Sequence, residues 1–187
     1  MTFNDNSDAD RIDPSPLNAE GDMTESSSQT LSTSKVTVRL AQNQDDIEAM
    51  KAMGQTLHDE SIYKTLPLDD GRMQEIGDKG LKEGNPGLLI AEKNGEAVGM
   101  AIVVLGEYYF APVRSATVQL FYVIPEARGT WAAIKLLRAL RQWAKRNEAQ
   151  DLHINVTTAI DTARTDRFLR TMGFKQTGGN YVVGVAK

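Results

Sequence analysis

The stretch that most narrows what this chain can fold into is Val123-Ile124-Pro125-Glu126-Ala127-Arg128-Gly129-Thr130-Trp131-Ala132-Ala133, which follows the apolar strand pattern Thr117-Val118-Gln119-Leu120-Phe121-Tyr122. Beyond it, Ala133, Leu136, Leu137, Leu140 and Ala144 fall on one helical face and Lys135, Arg138, Arg141 and Lys145 on the other, which predicts an amphipathic helix with a solvated basic side. A strand that passes through a short glycine-bearing loop into a helix gathers backbone NH groups with no partner inside the helix, at the positive end of its dipole. Such a loop holds an anion without any special side chain, and Arg128 adds a full charge.

This segment resembles motif A of the GNAT superfamily of N-acetyltransferases, whose usual form is Val-x-Pro-Glu-x-Arg-Gly-x-Gly-x-Gly/Ala. Val123, Pro125, Glu126, Arg128, Gly129 and Ala133 match it. The resemblance implies that Arg128, Gly129, Thr130, Trp131, Ala132 and Ala133 face the pyrophosphate of acetyl-CoA. It also implies that the backbone of Phe121, Tyr122 and Val123 pairs with the pantetheine arm. Trp131 stands where the family has its second glycine. A non-glycine residue forced into a left-handed conformation costs about 1 to 2 kcal/mol. The cradle therefore requires Trp131 to keep helical angles and to turn its indole away.

The flanking pattern predicts one domain over residues 35–187. Val36-Thr37-Val38-Arg39-Leu40 alternates as a strand, and Asp45 and Asp46 suit the first turn of a helix carrying Ile47, Met50, Met53 and Leu57. A looser helix follows over about 69–82, weakened by Gly71, Gly77 and Gly80. Two apolar runs around Asn94-Gly95 read as a hairpin with a type I′ turn, the second run being covered on both faces. Tyr108, Tyr109, Phe110 and Pro112 read as a loop, and Leu152 to Thr157 as a strand that sets His153, Asn155 and Thr157 on one face. A short helix ends at Gly173 in Phe168-Leu169-Arg170-Thr171-Met172-Gly173-Phe174, and Tyr181-Val182-Val183-Gly184-Val185 reads as the closing strand. The segment ending in Gly173-Phe174 resembles the family's Leu-Tyr-x-Lys-x-Gly-Phe. With this order of elements the resemblance implies an α/β fold: a GNAT-like three-layer α-β-α arrangement with a central mixed, mostly antiparallel sheet.

Residues 1–34 carry seven acids against Arg11 alone, with Pro14, Pro16 and many Ser, Thr, Asp and Asn, which reads as a disordered acidic arm. The arm is the candidate contact for a homodimer or an assembly. The remainder holds 18 acids and 20 bases, mildly basic as an anionic cofactor prefers, and without the dense basic stripe of a nucleic-acid binder. Cysteine is absent and His58 and His153 are the only histidines, so no metal site is expected. The apolar runs are too short for a membrane span, and the N-terminus shows no signal-peptide pattern. A cytoplasmic protein is the expectation.

Transfer from acetyl-CoA to a primary amine by direct attack needs a base for the amine proton and often an acid for the departing thiolate. The acid implied by the resemblance is the Tyr of Leu-Tyr-x-Lys, and its counterpart here is Leu169; the usual Asn near the start of that helix is matched by Thr162. Glu107, Gln119 and Tyr122 lie near the expected cleft, but none is assigned a catalytic role. Two functions follow as expectations. One is an acetyl-CoA-dependent N-acetyltransferase acting on a small amine or a protein amino group. The other is a GNAT-like protein without transfer chemistry that binds or builds. The combination of Arg128-Gly129 and Ala132-Ala133 with Arg167 to Phe174 and Gly178-Gly179-Asn180-Tyr181 is also similar to GNAT-like proteins encoded by tailed bacteriophages, which implies host cytoplasm or, for the second function, the virion.

Overall fold

The computed structural model describes residues 35–185, so the predicted arm over residues 1–34 lies outside the described residues. The elements run β1 (Val36–Leu40), α1 (Gln44–Glu60), α2 (Asp70–Glu83), β2 (Gly87–Lys93), β3 (Glu96–Tyr108), β4 (Ala111–Val123), a 3-10 turn (Pro125–Ala127), α3 (Ala132–Arg146), β5 (Asp151–Ile154) and α4 (Thr162–Thr171). Local chemistry sets their ends. The Asn43 side chain accepts from the Asp46 amide at the start of α1, and Asp69 accepts from the Arg72 amide at the start of α2. Asn94 and Gly95 take φ of 56° and 86°, the paired positive angles of the I′ turn. Gly173, at φ 83°, closes α4 as the sequence predicts: its amide bonds the Arg170 carbonyl, and the Phe174 amide bonds the Leu169 carbonyl.

The five strands lie in sequential order in one sheet. Pairing is antiparallel from β1 to β4 and parallel between β4 and β5, which makes the sheet mixed and mostly antiparallel. Helices cover both faces. On one, Leu136, Leu137, Leu140 and Trp143 of α3 pack with Leu89, Ala91, Ala101, Val103, Ala116 and Val118, and α4 adds Phe168, Leu169 and Met172. On the other, Ile47, Met50 and Met53 of α1 pack with Leu88, Ile90, Met100 and Tyr122, joined by Leu81 of α2. β3 feeds both layers, as its near-continuous apolar run implies.

Three expectations are corrected. The predicted loop at Tyr108 to Pro112 is the tip of a long hairpin, with Tyr108 ending β3 and Ala111 beginning β4. β5 stops at Ile154 instead of continuing to Thr157. Residues 181–185 form no strand: Tyr181, Val182, Val183 and Val185 are at least 80% exposed, and the segment is tied nearby by the Asn180 side chain donating to the Val156 carbonyl. β-branched residues favour a strand only where a pleated surface receives them, and these meet none.

Candidate functional site

β4 and β5 separate where their pairing ends, at Val118 opposite Ile154. From there β4 continues to Val123 beside no β5 residue. The cause on the β4 side is a bulge. Ile102 pairs with Leu120 and Val103 with Val118, so Gln119 is an extra residue without a partner on β3. The bulge also reverses the strand's faces. Ala116 and Val118 point into the α3 layer, whereas Leu120 and Tyr122, two and four residues on, pack in the α1 layer.

A cavity of about 730 Å³ occupies this parting. Its walls include Phe121, Tyr122 and Val123 of β4, Gly129, Thr130 and Ala133 at the start of α3, the loop after β5, Phe168 and Leu169 of α4, and the inner sides of α1 and α2. Where β4 ends, the 3-10 turn redirects the chain. Gly129 sits at φ 85°, a left-handed angle that its missing Cβ permits. Among the described residues, the amides of Arg128 and Thr130 bond the carbonyls of Pro125 and Ala127, and that of Ala132 bonds the Thr130 hydroxyl. The amides of Gly129, Trp131, Ala133 and Ile134 find no protein acceptor there. Four unpartnered donors at a helix N-terminus beside a cavity fit an anion such as a diphosphate.

Trp131 meets the condition set for it: φ −70° and ψ −4° are ordinary helical angles, and the residue is 62% exposed and absent from the cavity wall. Of the residues predicted to face the ligand, Phe121, Tyr122, Val123, Arg128, Gly129, Thr130 and Ala133 line the cavity. Ala132 does not. Its side chain is wholly buried in the α3 core and its amide is engaged.

Arg128 is more constrained than a free phosphate ligand. Its Nε donates to the Val123 carbonyl at 3.1 Å, its Nη2 to Glu60 Oε2 at 2.5 Å, and its guanidinium lies 5.5 Å from the Tyr122 ring centre. Glu60, the last residue of α1, also accepts the Tyr122 hydroxyl at 2.7 Å on Oε1. Burial works against the Glu60 charge, yet the hydrogen bonds from Tyr122 and Arg128 hold its carboxyl below the usual range. Burial and the Glu60 carboxylate push the Tyr122 phenol up to about 12. Sequence reasoning missed Glu60, because nothing in its neighbourhood marks it; the length of α1 carries it to a residue 68 positions away.

Among the residues weighed as bases, Gln119 and Tyr122 line the cavity. Glu107 does not: it stands opposite Arg114 near the hairpin tip. Leu169 lines the cavity with hydrocarbon where the resemblance implies a phenol. His153 lies in a surface network, 3.1 Å from the Tyr108 hydroxyl, which donates to Asp151.

A family model for the acetyltransferase (GNAT) family matches residues 51–174. A search of curated proteins finds no match to the chain. Among solved structures, AAC(6')-Iy in complex with a bisubstrate analog is similar with a TM-score of 0.65 and 16% identity, over 82% of this chain and 99% of that one. A ribosomal-protein-alanine N-acetyltransferase from Brucella melitensis is similar with a TM-score of 0.63 and 18% identity, over 81% of this chain and 100% of that one. A predicted acetyltransferase from Clostridium acetobutylicum, solved with acetyl-CoA, has a TM-score of 0.63 and 19% identity, over 81% and 97%. At these identities the likeness is one of fold. The family match spans the greater part of the chain and includes both the parted strands and the amide-lined loop: the chain belongs to the GNAT family of acetyltransferases.

Proposed function

We propose that the protein is an N-acetyltransferase that moves the acetyl group of acetyl-CoA to a primary amine. The observation that carries this reading is the conjunction of an unpaired edge of β4 beyond Val118 with four free amides where that strand meets α3. Such an edge offers backbone groups to the amide-bearing pantetheine arm. The loop offers donors to the pyrophosphate, and the cavity shields the thioester from water. The amine nitrogen then bonds the acetyl carbon, the carbon–sulfur bond breaks, and the sulfur takes the electron pair and, in the end, the proton that the nitrogen gives up, so that CoA leaves as its thiol. Tyr122, held protonated, lies on the cavity wall where that chemistry would occur.

Calorimetric titration with acetyl-CoA tests the reading. Micromolar binding is expected, weakened about tenfold in Arg128→Gln, equivalent to about 1.4 kcal/mol. Absence of heat with the native protein overturns it. Leu169 favours a second reading, a GNAT protein that binds without transferring, since a hydrocarbon stands where the resemblance implies an acid. Thiol release across a panel of amines separates the two: binding without any thiol release supports the second.

A further inference from the structure

Resting on the acetyl-transfer reading, we infer that the acceptor is a monoamine carried on an apolar body, and that Gly54 sets the room for that body. The donor is expected along the unpaired edge of β4, so the enclosed space left for the nucleophile is the part of the cavity between α1, α2 and the sheet. Its wall includes Met50, Gly54, Leu57, Met73, Met100 and Ile102, all hydrocarbon or thioether beyond the backbone. Apolar surface of this kind binds apolar surface, and methionine side chains adapt to its shape.

The charges around the cavity argue against a polycation. Lys51, Arg128 and Arg164 lie on its wall against one lining carboxylate, Asp161, which caps α4 by accepting the Arg164 amide at 3.2 Å. Both oxygens of nearby Glu60 are engaged by Tyr122 and Arg128. Lys51 is paired with Glu48 and Asp70, and Arg128 with Glu60, so an acceptor with several ammonium groups would find those carboxylates engaged and Asp161 alone on the wall to receive it. An amine that enters neutral and hides the rest of its surface among the methionines needs no such partner.

Gly54 is the residue that makes the room. A glycine inside a helix as long as α1 weakens it relative to alanine. A Cβ there would stand 3.4 Å from Met73 Sδ and 3.9 Å from Met100 Cε, ordinary contact for one carbon. A leucine would extend into the space between those two methionines.

The test uses the full chain with acetyl-CoA and three acceptors: n-hexylamine, 2-phenylethylamine and the polycationic neamine. Thiol release is expected with the two apolar amines at kcat/KM at least tenfold above neamine. In Gly54→Leu, KM for both apolar amines should rise at least tenfold while the calorimetric affinity for acetyl-CoA stays within twofold; Gly54→Ala, which fits, should stay close to native. Methionine-methyl NMR gives a readout independent of turnover: n-hexylamine should shift the Met50, Met73 and Met100 resonances in the native protein and leave them in place in Gly54→Leu. Faster turnover of neamine overturns the inference, as does release with none of the apolar amines in a protein that binds acetyl-CoA. So does a Gly54→Leu effect confined to hexanoyl-CoA against acetyl-CoA, which would assign the chamber to the acyl chain. Failure to bind acetyl-CoA at all is the separate outcome that removes the transfer reading.

Discussion

Asp46 shows what a single buried charge does here. It is 7% exposed, accepts both Arg39 Nη atoms at 2.6 and 2.7 Å and takes the Gln42 amide at 2.7 Å, tying β1 to the first turn of α1. The Arg39 guanidinium holds its carboxyl below the usual range. A depressed carboxyl stabilises the fold above its ordinary pKa of about 3.9, and that share is lost as pH falls below this value. Asp46→Asn should therefore destabilise by about 2 kcal/mol at neutral pH, and the gap to the native protein should shrink towards about pH 3. Urea unfolding across that range measures both. The sequence showed Asp45 and Asp46 only as a matched pair of first-turn acids. Which of them is buried depends on Arg39 and Glu92 of neighbouring strands, a contact that helical periodicity does not contain. Glu60 was invisible for the same reason: its partners, Tyr122 and Arg128, come from β4 and the loop after it, 62 and 68 positions along the chain.

Among the elements, the loop between β4 and α3 is where conformation and binding are joined. A Cβ at Gly129 meets nothing within 4 Å, so Gly129→Ala is strained only through its φ of 85°. The expected loss is about 1 kcal/mol of stability. Because the free amide of Gly129 turns with that angle, acetyl-CoA affinity should also fall about fivefold; differential scanning calorimetry and titration calorimetry read the two losses separately. This loop was legible in advance because its signals are local: a β-forming run, Pro125, Gly129 and then a helical stripe. The Asn94-Gly95 hairpin and the Gly173 terminus were legible on the same ground. Residues 181–185 were not, since a strand needs a neighbour as well as β-branched residues. The bulge at Gln119 escaped notice too, because it exists only as a mismatch of register with β3.

At the scale of the whole molecule, one sheet serves two hydrophobic layers, and β4 contributes to both. Its one extra residue, Gln119, stands where β4 leaves β5. Removing Gln119 would bring Leu120 directly after Val118, still opposite Ile102, so each later side chain keeps its layer and Tyr122 stays with Glu60 and Arg128; what goes is the local bend where the strands part. An extra glycine between Tyr109 and Phe110, both exposed, would merely lengthen the hairpin tip. Urea melts of both variants should stay within about 1 kcal/mol of native, whereas the calorimetric affinity for acetyl-CoA should fall about tenfold in the first and stay native in the second. A lineage of such chains would thus be free to edit the tip of this ribbon in length, but would keep the spare residue that opens the sheet.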